Sequence, residues 1–374
     1  MQVCLNDKLF INLPDDTARL MNKKDVIKPL TAHAVGLLQQ LISIPSYSRE
    51  EEKAADFIEV FITRDGLLPH RKGNNIWCLS SAFTPSRPTL LLNAHIDTVR
   101  PVKGWTYNPH IPTIKNDRIY GLGSNDCGAG LVSLYEVFRH CESNENLPWN
   151  LIYLASAEEE VSGHNGIELI LPELPKIDAS IVGEPTNMQP AIAEKGLMVI
   201  DAVAHGKAGH AARNEGINAI YKAIEDIQWC RNHRFEKVSA LLGEVKMGVT
   251  IIQAGTQHNV VPDECRFTID IRSNDCYTNQ ELLDEIGKNL HSDIQARSTR
   301  LNSSHIDIEH PLVQRCITMG KIPFGSPTLS DQALMPFPSV KIGPGDSARS
   351  HTADEYVKIS EIHDAIAEYL HLIS

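Results

Sequence analysis

The chain has 374 residues, 42% of them hydrophobic and 22% charged, with a formal charge of −12. That length is too great for one ordinary core and calls for about two domains, and the composition is that of a soluble globular protein. The acidic balance argues against nucleic acid or an anionic membrane as a partner, and it has a second meaning because carboxylates are also metal ligands.

Eight cysteines are dispersed without a Cys-x-x-Cys pair, which fits reduced thiols in a cytoplasmic protein better than a disulfide framework. Met1–Lys28 mixes Asp, Lys and Arg with short apolar pieces. No signal peptide is expected there, and no window elsewhere is long enough to span a bilayer.

Taken in order, Thr31 is expected to cap a helix carrying Leu37, Leu38 and Leu41, which Ile44-Pro45-Ser46 ends. Ser48 and Glu51 have capping-box spacing ahead of a helical stripe of Ala54, Ala55, Phe57, Ile58 and Phe61. After a turn at Gly73-Asn74-Asn75 come a strand at Ile76–Leu79 and the apolar run Leu90-Leu91-Leu92-Asn93-Ala94-His95-Ile96-Asp97. Such a run reads as a buried parallel strand with His95 and Asp97 at its carboxyl end, where open α/β sheets place ligands. Residues two apart on a strand share a face, so the carboxylate can steady the imidazole. On these residues alone, a surface His-x-Asp at a strand end is an equal alternative.

A glycine-rich loop, Gly121 to Gly130, carries Asp126 and leads into a helix over Leu131–His140. Two further apolar strands follow: Asn150–Ala157 runs into Glu158-Glu159-Glu160, and Ala179–Gly183 runs into Glu184-Pro185. Three strands thus end in residues able to bind a metal. Taken singly, the glutamate run reads as a solvated helix start, Glu184-Pro185 as a turn, and His351 as a loop histidine. Gly121-x-Gly123 fails as a dinucleotide fingerprint because Asp126 holds the third glycine position, and no Gly-x-Ser-x-Gly elbow is present.

From Met188 to Leu301 the texture changes to strand (196–204), helix (217–229), strands (247–254 and 265–272), helix (279–290) and strand (293–298). That β-α-β-β-α-β order is ferredoxin-like. From Asn302 the first pattern returns, with helices near 311–319 and 360–372. The expected fold is α/β: a catalytic domain (1–187 and 303–374) with a mixed, mostly parallel sheet flanked by helices, plus an inserted α+β domain (188–302).

The candidate ligands are His95, Asp126, one or two of Glu158–Glu160, Glu184 and His351. Imidazoles and carboxylates without thiolate suit zinc or cobalt at a catalytic site. Two metals need a bridging carboxylate, and Asp126 fits that part.

The runs Asn93–Val99, Gly121–Asp126, Ala157–Gly163, Val182–Thr186 and Gly345–Tyr356 resemble, in order, the motifs of the M20 metallopeptidase and deacylase family. The resemblance extends from about Leu37 to the C-terminus. It implies a co-catalytic pair of Zn2+ ions, with Co2+ able to substitute. One would be held by His95 and Glu184, the other by Glu160 and His351, with Asp126 bridging. Asp97 would orient His95, and Glu159 would be the general base. A register one residue earlier makes Glu158 the base and Glu159 the ligand. Ser162 stands where the family has the first of two glycines, and Gly128 where many members have lysine.

In the insert, Gly206–Ala212 resembles the segment whose histidine, here His210, reaches across a homodimer to polarise the scissile carbonyl. Asn259 and Arg272 match positions that hold the substrate's α-carboxylate. The insert is expected to move as a lid about connections near Asn187 and Asn302. Thr328–Gln332 and Gly343–Gly345 look most like the acetylornithine deacetylase branch, with its acetylcitrulline and succinyl-substrate relatives. That implies removal of an acetyl or succinyl group from a small amino acid in arginine biosynthesis. Succinyl-diaminopimelate desuccinylase, a dipeptidase or an aminoacylase is the alternative.

Overall fold

Every residue of the run Thr89–His95 is buried, and its side chains divide between two layers. Leu90, Leu92 and Ala94 join a core built with helices on one side of the sheet, whereas Leu91 packs with Ile152, Leu154, Ile167 and Ile170 on the other. A strand covered on both faces needs apolar residues at every position, hence its unbroken apolar sequence.

The computed structural model describes residues 23–213 and 215–374. The expectation of no signal peptide in Met1–Lys28 therefore lies mostly outside the described residues. Within them, no helix is long and apolar enough to cross a membrane, and the seven cysteines are all free thiols.

The main helices are α1 (Lys23–Ile42), α2 (Glu52–Arg64), α3 (Ala129–Cys141), α4 (Ala219–Asn232), α5 (Asn279–Gly287), α6 (Pro311–Thr318) and α7 (Ile359–Ile373). The strands of the two larger sheets begin with β1 (His70–Lys72), β2 (Asn75–Leu79), β3 (Thr89–His95), β4 (Asn150–Ser156), β5 (Ala179–Val182) and β6 (Ala191–Glu194). They continue with β7 (Met198–His205), β8 (Lys246–Ala254), β9 (Glu264–Arg272), β10 (Asp293–Ala296), β11 (Ser304–His305), β12 (Phe324–Ser326) and β13 (Ser339–Lys341).

The first sheet runs β1-β2-β4-β3-β5-β13-β6-β11, with β12 beside β6. Its centre is parallel: β3 pairs in that sense with β4 and with β5, and β5 with β13. The flanking pairs β1–β2, β2–β4 and β6–β11 are antiparallel. The second sheet, β8-β9-β7-β10, is antiparallel throughout. Met198, Ile200, Ala202 and Ala204 of β7 pack with α4 and α5 while the alternate residues stay partly exposed, as a sheet covered on one face requires. β6 and β11 pair in the first sheet on either side of this unit, so its strands occupy a narrower span than 188–302.

Two local expectations are corrected. Thr31 does not cap α1, which is already formed from Lys23; its hydroxyl donates to the Ile27 carbonyl at 2.8 Å. Ser48 and Glu51 form no capping box, because both are drawn into long-range contacts. Ser48 donates to Asp97 at 2.7 Å, and the Glu51 carboxylate accepts from the backbone N–H of Arg49 and from Asn74.

Candidate active site

β4, β3 and β5 are adjacent and parallel, so the residues leaving their carboxyl ends converge: Glu159 and Glu160 from β4, His95 from β3, Glu184 from β5. α3 closes in on this end at Gly130, where a Cβ would stand 1.7 Å from the Gly183 carbonyl oxygen. Only glycine admits that approach.

His95 is 2% exposed. Its Nδ1 lies 2.9 Å from the backbone oxygen of Asp97 and 3.5 Å from its carboxylate, which leaves Nε2 facing the cleft. Nε2 stands 3.3 Å from Asp126, 3.5 Å from Glu184 and 3.8 Å from Glu159. On the far side, His351 Nε2 lies 2.9 Å from Glu160 and 3.6 Å from the second oxygen of Asp126. Asp126 thus turns one oxygen to each histidine. Donor atoms of His95, Asp126 and Glu160 fall within 4.8 Å of one another, and so do those of His95, Cys127 and Glu184.

The Glu158–Gly163 loop is bent to aim its carboxylates. Glu158 (φ 55°) and Ser162 (φ 44°) are both left-handed, at about 1–2 kcal/mol each. Hydrogen bonds hold the bend: Asp97 accepts the N–H groups of Glu159 and Glu160 at 3.0 and 3.1 Å. The Glu158 side chain accepts from Asn165 at 2.9 Å and does not line the cleft, whereas Glu159 and Glu160 do.

Burial and mutual repulsion dominate the electrostatics. Burial, then the Asp126 charge, pushes Glu184 up to about 8. Burial and the Glu184 charge raise Glu159 well above the usual carboxylate range, with His95 opposing. His351, bonded to Glu160, is lifted to about 9. Burial disfavours the imidazolium of His95, but Cys127, Asp126 and Asp97 together more than offset it. Four carboxylates crowded around two imidazoles hold more negative charge than those cations can balance. Nitrogen and oxygen donors in this arrangement fit divalent zinc or cobalt. Cys127 is less suited to join them, because burial raises its thiol well above the ordinary range.

The cleft, of about 410 Å³, is lined by Asp126, Glu159, Glu160, Glu184 and His351, and beyond them by Ser326–Leu329. That size suits a small molecule. The insert residues are elsewhere. His210 pairs with Val260, and the neighbouring Asn259 carbonyl accepts the Ala211 N–H. Arg272 is engaged by Asp270 at 2.9 Å. None of the three lines the cleft.

Several residues near the site have partners that the sequence alone does not show. Ser48 bonds Asp97; Asp331, raised to about 6 chiefly by burial, bonds Ser156; Lys341 pairs with Glu194 at 3.0 Å; Glu355 meets the Asp126 loop. Only Glu355 left a signal, four residues beyond His351.

The fold and the acidic cleft define a hydrolase of the two-unit α/β kind, with its polar centre at the carboxyl ends of a parallel sheet. The description of peptidase family M20/M25/M40 matches residues 91–374, and the chain belongs to that family. A succinyl-diaminopimelate desuccinylase of Corynebacterium glutamicum is 27% identical over 359 residues, covering 90% of this chain and 95% of that one. Among solved structures, aminopeptidase PepT of Bacillus cereus superposes with a TM-score of 0.75 at 18% identity, covering 92% of this chain and 98% of that one. A dinuclear metal-binding M20 peptidase of Bacillus subtilis gives 0.69 at 15%, covering 92% and 98%. Several curated relatives carry the desuccinylase name, which supports the succinyl alternative over the acetylornithine branch; arginine biosynthesis gains no support from them.

Proposed function

We propose that the protein is a two-metal amidohydrolase that removes a succinyl group from the amino nitrogen of a small amino acid. The observation that carries this reading is Asp126, whose two oxygens face His95 with Glu184 on one side and His351 with Glu160 on the other. The desuccinylase relatives support the choice of acyl group.

His95, Glu184 and Asp126 would hold one ion, and His351, Glu160 and Asp126 the other. Zinc or cobalt bound there supplies Lewis-acid polarisation of the amide carbonyl and compensates the carboxylate charge. Glu159, beside this set and 3.8 Å from His95, takes a proton from the attacking water and delivers it to the leaving nitrogen as the C–N bond breaks. Burial raises its pKa, which helps it hold the proton between the two steps. Asp97 fixes the His95 ring and the Glu159 loop together.

The insert completes the site by closing about connections near Asn187 and Asn302 in a homodimer. His210 of the partner subunit then donates to the forming oxyanion, while Asn259 and Arg272 hold the α-carboxylate. The exposed ends of β8 support the dimer: it is an edge strand, with Ile251 and Ile252 half exposed, and such an edge invites a partner.

The test is release of primary amine by metal-loaded protein from N-succinyl-diaminopimelate, N-succinylornithine, N-acetylornithine and a dipeptide. Preference for the succinylated compounds supports the proposal. Preference for the acetylated one restores the acetyl reading, and no turnover of any removes both.

A further inference from the structure

Glu355 is 2% exposed, and among the described residues its carboxylate is bonded by backbone N–H groups. Its carboxylate faces the loop that carries Asp126. One oxygen accepts the N–H groups of Asn125 at 2.8 Å and Asp126 at 3.0 Å, and the other accepts that of Gly123 at 3.1 Å. Its own carbonyl accepts the Gly121 N–H at 3.1 Å. Gly123 is in the left-handed region (φ 74°), the turn that lets these amides point at one anion.

The brace is reciprocal. Asn125 accepts the Asp346 N–H at 3.0 Å and donates to the Asp346 carbonyl at 3.1 Å and to Ser350 at 3.2 Å. The segment bearing His351 is therefore tied to the segment bearing Asp126 at both of its ends, by Asn125 at 346–350 and by Glu355 at 355. These are the two residues that face each other across the second half of the site, 3.6 Å apart.

We propose that Glu355 is a positioning residue: by gripping the backbone of Asp126 it sets the reach of the second Asp126 oxygen toward His351, and so governs binding of the second metal. This rests on the two-metal reading above. Gln at this position keeps the size but turns one acceptor into a donor facing an N–H, so at least one of the three bonds must break. The first half of the site also takes Asp126, but His95 and Glu184 anchor it on β3 and β5, so it depends less on this grip.

The test is calorimetric titration of Zn2+, and of Co2+ with its visible absorption, into metal-free wild type, Glu355→Gln and Glu355→Ala. The expected result is a second equivalent weakened about 10–100-fold and a first weakened less, with the Co2+ spectrum of the second site altered and kcat lowered more than KM is raised. The Gln variant carries the test if the Ala variant does not fold. Two equivalents bound by Glu355→Gln with wild-type affinities overturn the assignment of Glu355 alone. A wild type that takes fewer than two equivalents overturns the two-metal reading, and this proposal with it.

Discussion

The carboxylate of Asp97 receives the backbone N–H of Glu159 at 3.0 Å. The same residue lies against the His95 ring at 2.9 Å through its carbonyl and accepts from Ser48 at 2.7 Å. One aspartate thereby links a candidate metal ligand to the candidate base. Asp97→Ala should weaken metal binding about 10–100-fold and lower kcat further by freeing the loop. Ser48→Ala removes one bond to a charged group, worth about 1.5–3 kcal/mol, and should give a milder loss of the same kind. Metal titration with steady-state kinetics on both variants checks this; wild-type affinity in Asp97→Ala contradicts it.

Glu159→Gln should keep the wild-type metal content while kcat falls about 10²–10⁴-fold. Metal analysis by mass spectrometry separates the two registers. If the Gln variant loses a metal, Glu159 is a ligand and Glu158 the base, although the Glu158 side chain is bonded to Asn165.

Without metal, stability should depend on pH in a definite direction. Glu184 is raised to about 8 and Glu355 to about 8, chiefly by burial, and His351 is raised to about 9 by Glu160. Each group binds its proton more tightly folded than unfolded, so its contribution is present at low pH and lost as pH rises toward 8 or 9. Asp97 and Asp126, both lowered, act oppositely but only in acid, near pH 4 and below. The metal-free protein should lose at least several degrees of Tm between pH 5 and pH 9, and metal should remove most of that slope. A flat Tm profile for the metal-free form speaks against the charge crowding described.

The proposed homodimer should depend on the β8 edge. Ile251→Lys with Ile252→Lys leaves the metal ligands untouched and should yield a folded monomer with wild-type metal content and turnover reduced at least about 10²-fold, as removal of an oxyanion donor does. Light scattering and kinetics on the double variant check this. Full activity as a monomer shows that His210 is not supplied by a partner.

Much of the site was legible because its ligands sit at the ends of apolar runs. β3, β4 and β5 are buried on both faces, so each reads as a run that stops where the polar residue begins. Their adjacency is a property of the sheet, absent from any single run. The ferredoxin-like unit was legible from element order alone, since helix and strand periods alternate cleanly between Met198 and Ala296. Thr31 misled because a hydroxyl inside a helix can turn back to the carbonyl four residues earlier, and Ser48 and Glu51 because groups at capping positions can equally serve distant partners. Ser48 finds its acceptor 49 residues away, in Asp97. The roles of Lys341 and Asp331 were illegible for a related reason, and Glu355 left only its place four residues beyond His351: the buried surroundings that give a polar residue meaning are assembled by the fold.

The central claim is that amide hydrolysis requires two ions in the Asp126-bridged cluster. It is tested most directly by titrating Zn2+ into metal-free protein while following amine release from an N-succinyl amino acid. No release is expected without metal and full activity by two equivalents, with none regained by Asp126→Ala at any loading. Full activity in metal-free protein, or undiminished activity in Asp126→Ala, contradicts it.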